Sequence, residues 1–128
     1  MSAPTASPQP RPARILIADD NPQGVELLEA YLAETDYETE TAADGEETLR
    51  KVAQWQPDLI LLDVLLSGKD GREIVKQLKS QEETKSIPII MFSAHPSAEK
   101  TARDAGADDF VAKPFHIDFL LAVVAKYL

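Results

Sequence analysis

From Arg14 onward the chain alternates, five times over, a short run of β-type apolar residues with a longer stretch in which apolar residues recur at helical spacing. The runs, taken in chain order as strands β1 to β5, are Ile15–Ala18, Tyr37–Ala42, Leu59–Leu62, Ile87–Phe92 and Phe110–Ala112. The stripes that follow them, α1 to α5, are carried by Val25, Leu28 and Leu32; by Leu49 and Val52; by Gly71, Ile74, Val75 and Leu78; by the alanine-rich segment Ser97 to Ala105; and by Ile117, Leu120, Leu121, Val124 and Leu128. Such strict alternation leaves few ways to bury apolar surface: parallel strands joined by right-handed crossovers, with helices on both faces. β3 (LILL) and β4 (IPIIMF) are apolar on both sides, as central strands between two helix layers must be, whereas β2 (YETETA) alternates with acids and belongs at an edge. Pro22, Pro57, Pro88, Pro96 and Pro114 fall at element boundaries. The expected fold is a single α/β domain, a five-stranded parallel sheet inside a three-layer sandwich.

A chain of 128 residues has room for one such core. Residues 1–12 hold four prolines and no large apolar residue besides Met1, so they are expected to be a disordered tail, with residues 13–128 as the folded domain. No apolar run could span a bilayer and the tail carries no export signal, so a cytoplasmic location is expected and a membrane is not. With no cysteine and two histidines, thiolate zinc sites and disulfides are excluded, and carboxylate oxygens become the main candidate metal ligands. The 22 acidic residues against 13 basic, a net charge of -9, would repel a phosphate backbone, so no direct nucleic-acid partner is expected.

In an open parallel sheet, ligands bind beyond the carboxyl ends of the strands. β1 ends in Asp19-Asp20, β3 in Asp63, β4 in Ser93, and β5 runs into Lys113-Pro114. Three convergent carboxylates repel one another unless a cation joins them, and an all-oxygen set suits Mg²⁺. The metal and Lys113 could then neutralise the oxygens of a phosphoryl group, Ser93 could donate a hydrogen bond to it, and Asp63 is the natural nucleophile. Each residue has a plainer reading as well. Asp20 or Asn21 before Pro22 suits a helix N-cap, Ser93 suits a turn, and Lys113 suits a solvated surface. The functional reading rests on their joint placement, each at the end of a different strand.

On these residues the chain from Arg14 to Leu128 resembles the receiver domain of bacterial two-component response regulators. The segments that carry the resemblance are ILIADDNP, PDLILLDVLLSGKDG, IPIIMFSAH and AGADDFVAKPF. The resemblance implies a flavodoxin-like (βα)5 fold with strand order 2-1-3-4-5. It further implies transfer of a phosphoryl group to Asp63 from a sensor histidine kinase or a histidine phosphotransfer protein. Asp19, Asp20, Asp63 and the Leu65 backbone carbonyl would hold Mg²⁺ (or Mn²⁺). Ser93 and Lys113 would attend the phosphoryl group, Ser93 and Phe110 would switch, and the Lys113–Pro114 bond would be cis. A downstream effector would dock on the α4–β5–α5 face, whose alanine-rich α4 is expected to be the loosest-packed element, and the protein would be a monomer or a phosphorylation-dependent dimer. It would be no enzyme beyond self-phosphorylation from small donors and autodephosphorylation.

There are departures from the family pattern. Ser67 stands where many members have Pro and Lys69 where many have Met, so a looser, more polar β3–α3 loop is expected; His95 is read as an exposed loop residue. Since the last stripe runs to Leu128, a stand-alone receiver is expected. Two alternatives remain at this point: a receiver-like interaction module that is not phosphorylated, and a Mg²⁺-dependent phosphatase with an aspartyl nucleophile.

Overall fold

The computed structural model describes residues 11–128, so most of the tail expected at 1–12 lies outside the described residues. Counting only the main sheet, the strands are β1 (Arg14–Ala18), β2 (Glu38–Ala42), β3 (Leu59–Asp63), β4 (Ile89–Ser93) and β5 (Asp109–Ala112). The helices between and after them are α1 (Pro22–Leu32), α2 (Gly45–Trp55), α3 (Gly71–Lys79), α4 (Glu99–Ala105) and α5 (Ile117–Tyr127). All neighbouring strands of this sheet are parallel, in the order 2-1-3-4-5, which is the flavodoxin-like arrangement.

The period-two geometry of the strands divides the core into two layers. Leu16, Ala18, Ile60, Leu62, Ile89, Met91 and Phe110 face α2, α3 and α4, where they meet Val52, Ile74, Val75, Leu78, Ala102 and Ala105. Ile15, Ile17, Leu59, Leu61, Ile90, Phe92 and Val111 face α1 and α5, against Leu28, Leu32, Leu120, Val123 and Val124. Every residue of β3 and β4 is buried, while β2 alternates between exposed and half-buried up to Ala42, as its acids require of an edge strand.

Boundaries shift where backbone chemistry overrides periodicity. β4 begins at Ile89 rather than Ile87, because Pro88 has no N–H to offer and the Ile87 amide is turned onto the Thr84 carbonyl (3.0 Å). It ends one residue later than its apolar run, with Ser93 paired to Ala112. Pro96 opens a 3₁₀ turn, Pro96–Ala98, so the α4 helix itself starts at Glu99 rather than Ser97.

The β3–α3 connection departs most from expectation. It is no looser loop: Leu65–Leu66 and Lys69–Asp70 pair as a short antiparallel ribbon, closed by Ser67 and Gly68, both at positive φ (45° and 79°). Two central residues with positive φ define the type I′ turn, whose twist matches that of the flanking strands. Asp70 then caps α3 by accepting from the Arg72 amide (2.9 Å). At its first position α3 passes so close to the sheet that a side chain on Gly71 would collide with the Asp63 carbonyl oxygen.

Candidate functional site

Sheet order brings residues far apart in sequence to one rim. β1 lies beside β3 and β3 beside β4, so the ends of these strands stand next to one another. Asp19 follows β1 directly and is buried; its Oδ1 accepts from the Asn21 amide (3.1 Å). Asn21, not Asp20, is the N-cap of α1: its Oδ1 accepts from the amides of Gln23 (3.1 Å) and Gly24 (3.3 Å). Asp20 therefore has no capping duty, and its exposed carboxylate reaches across to the ribbon, where Oδ2 accepts from the Ser67 amide at 2.8 Å.

Asp63 closes β3 in register with Phe92. Its Oδ1 accepts from the Leu65 amide (3.0 Å) and its Oδ2 from the Lys113 ammonium (2.7 Å). The same Nζ lies 3.3 Å from Asp19 Oδ2 and 4.7 Å from the centroid of the Phe92 ring. Lys113 thus bridges two carboxylates above an aromatic face, a cation–π arrangement that adds to the ion pairs. Its backbone is anchored as well, the amide donating to the Ser93 carbonyl (2.8 Å), and the Lys113–Pro114 peptide bond is cis. Ser93 is buried, its Oγ accepting from the His95 amide (3.0 Å), while the His95 side chain is exposed.

Two charged groups at this rim are shifted from their ordinary values. Burial pushes the Asp19 carboxyl above the ordinary carboxylate value; the Asn21 amide and Lys113 pull it down and the neighbouring Asp63 pushes it further up. Burial also works against the Lys113 ammonium, but the hydrogen bond to Asp63 and the charges of Asp63 and Asp19 outweigh that and raise it above the ordinary lysine value. Among the described residues, no three acidic or histidine side chains form a ready-made metal cluster. Lys113 sits on Asp19 and Asp63, and Asp20 is turned onto Ser67. The donor set nonetheless fits a hard cation. An ionised carboxylate has about four lone-pair sites, and the hydrogen bonds named above use one on each engaged oxygen.

The rim opens into a cleft of about 500 Å³ bordered by Asp19, Lys113 and Phe92 within and by Leu27, Tyr31 and Phe115 further out. Phe110, expected to switch, is buried in the layer facing α2, α3 and α4 and also borders a separate cavity with Glu99 and Phe119. The structure therefore joins Asp19, Asp63 and Lys113 directly, turns Asp20 onto the Ser67 amide, and sets Leu65 beside Asp63 through its amide. Two contributors had no signal in the sequence: Phe92 under the ammonium, which reads as a core residue, and the Ser67 amide, whose direction depends on a backbone turn.

Residues 15–125 match the sequence model of the response regulator receiver domain. The response regulator MprA of Mycolicibacterium vanbaalenii is 41% identical over 113 residues, which is 87% of this chain and 48% of that protein. The DNA-binding dual master transcriptional regulator RpaA of Synechocystis is 37% identical over 117 residues, 90% of this chain and 48% of that protein. The chain thus spans about half the length of these relatives. Among solved structures, the chemotaxis response regulator CheY4 of Vibrio cholerae superposes with a TM-score of 0.83 at 32% identity, covering 91% of this chain and 99% of that one.

Proposed function

This chain belongs to the response regulator receiver domain family, and from that premise we propose that Asp63 is its phosphoacceptor, charged by a sensor histidine kinase or a histidine phosphotransfer protein. The observation that carries the reading is the Lys113 ammonium held between Asp63 and Asp19, a positive charge fixed beside the nucleophile before any substrate arrives. A carboxylate oxygen of Asp63 attacks phosphorus while the phosphorus–nitrogen bond to the donor imidazole breaks. The imidazole leaves with the bond's electron pair and takes up a proton, and the product is an acyl phosphate on Asp63. Lys113 offsets the negative charge on the transferring group, and the Ser93 hydroxyl donates to one of its oxygens.

Members of this family normally bind Mg²⁺. Here Asp19, Asp20, Asp63 and the Leu65 carbonyl would hold it (or Mn²⁺), and when bound it would neutralise phosphoryl oxygens. The rim carries three carboxylates and one ammonium, a net charge one divalent cation would cancel.

Phosphorylation would draw Ser93 toward the new oxygens and let Phe110 repack, changing the α4–β5–α5 face on which an effector protein docks. A partner gains only as much as the phosphoryl group biases that state. No helix among the described residues is long and apolar enough to cross a membrane. We place the protein in the cytoplasm as a signalling module rather than a turnover enzyme, a monomer or a dimer formed on phosphorylation.

Intact-mass analysis tests the acceptor. Wild type incubated with a small acyl phosphate and Mg²⁺ should gain one phosphoryl group, and Asp63→Asn should gain none. An unmodified wild type, or equal uptake by Asp63→Asn, overturns the assignment.

A further inference from the structure

Ser67 adopts a backbone conformation that serine seldom takes. Its φ of 45° lies in the left-handed region, where an L side chain crowds its own backbone, and the neighbouring Gly68 at 79° is the residue type such a turn favours. Two contacts meet at this residue, and only the second needs a serine. Its amide donates to Asp20 Oδ2 at 2.8 Å, and its hydroxyl donates to the Ala43 carbonyl, 3.1 Å away at the β2–α2 junction. The hydroxyl thus ties the ribbon to the far side of the rim, and the turn directs the amide at the one rim carboxylate that neither Lys113 nor a cap engages.

We propose that Ser67 is a positioning residue for the metal: its backbone amide holds the Asp20 carboxylate in place before the ion arrives, and the hydroxyl bond to Ala43 offsets the cost of the left-handed turn that aims this amide, a cost glycine would not carry. The inference deepens the reading above and rests on Asp20 being a Mg²⁺ ligand. An exposed carboxylate without this donor would sample several rotamers and lose that freedom on binding. With the donor, one oxygen is occupied and the group is already oriented. Hydrogen-bond partners that orient a ligand in this way typically change metal affinity by about 10–100-fold. Proline at this position would remove the amide donor and forbid positive φ. Glycine would keep the donor and relieve the strain.

Mg²⁺ binding to the unphosphorylated protein, measured by titration calorimetry, tests this without reference to phosphoryl transfer. Ser67→Pro should bind Mg²⁺ about tenfold or more weakly, and Ser67→Gly should stay within about threefold of wild type. Equal affinity in wild type and a folded Ser67→Pro overturns the proposal, as does an equal loss in Ser67→Gly. A wild type that binds no Mg²⁺ overturns the metal reading beneath it, a distinct failure. Should Ser67→Pro not fold, amide hydrogen exchange in the wild type decides. The Ser67 amide should be protected although it lies in an exposed turn, and exchange at the rate of an unstructured peptide overturns the proposal.

Discussion

Replacing Lys113 with Met keeps the length and most of the apolar stem but removes the charge that joins Asp19 and Asp63. The two carboxylate side chains retain only 2% and 13% of their exposure, and the lysine 28%. Removing one partner of a fully buried ion pair costs about 3–5 kcal/mol, because a charge is left without compensation. Two effects reduce that figure here: water reaches the partly exposed ammonium, which weakens the pair being lost, and the stranded carboxylates can take up a proton. We therefore expect about 2 kcal/mol at pH 7 in chelator, equivalent to about 8 °C in Tm for a domain of this size. The pH dependence has a definite sign. Lys113 is raised above 10.5, so its contribution to the wild type is fully present below that value and lost only above the raised one. The Lys113 ammonium therefore keeps its charge at both pH 7 and pH 5. In Lys113→Met the Asp19 carboxyl, already raised by burial, rises further, so one proton binds as the pH falls and the deficit shrinks by about 1.4 kcal/mol for each unit of additional shift that is titrated. Urea unfolding of both proteins at pH 7 and pH 5 in chelator, then at pH 7 with Mg²⁺, measures this, and Mg²⁺ should recover part of the loss. A Lys113→Met protein as stable as wild type at pH 7 in chelator, or a deficit that grows toward pH 5, would refute the reasoning.

Gly71→Ala should destabilise by about 1–3 kcal/mol, because the added carbon meets the Asp63 carbonyl oxygen and approaches the Val64 carbonyl oxygen (3.1 Å), both backbone atoms that cannot swing aside. A shifted denaturant midpoint at unchanged slope is the expected signature. For Asp109, burial favours the neutral acid, but the Phe110 amide, Tyr127, Lys126 and Arg103 outweigh it and hold the carboxyl below 3.8. Its contribution is therefore present above the ordinary carboxylate value and lost as the pH falls through the lowered one. Asp109→Asn should cost about 1–2 kcal/mol at pH 7, and its acid-unfolding curve should merge with that of wild type well below pH 3.8; parallel curves throughout would contradict the assignment.

Much of this protein is legible from local patterns. β3 and β4 are apolar on both sides, and that alone places them in the centre of a parallel sheet. Acids alternating along Glu38–Ala42 put that strand at an edge, and the polar residues after each strand mark the rim. These are properties of single segments, set by side-chain period and by which groups tolerate burial. Other features belong to no single segment. Whether Asp20 or Asn21 caps α1 depends on which side chain reaches the first amides of the helix, and the answer, Asn21, is what leaves Asp20 available. The two-residue closure at Ser67–Gly68 depends on the ribbon pairing beside it. Lys113 reaches Asp63 across 50 positions and Asp19 across 94 because strand order sets β1, β3 and β4 side by side and the Lys113 backbone is pinned to Ser93. Sequence periodicity determines which residues are buried and which stand at a strand end. Only sheet order and backbone turns decide which strand ends meet and where each amide points, because those depend on hydrogen bonds between segments that the chain's local chemistry does not encode.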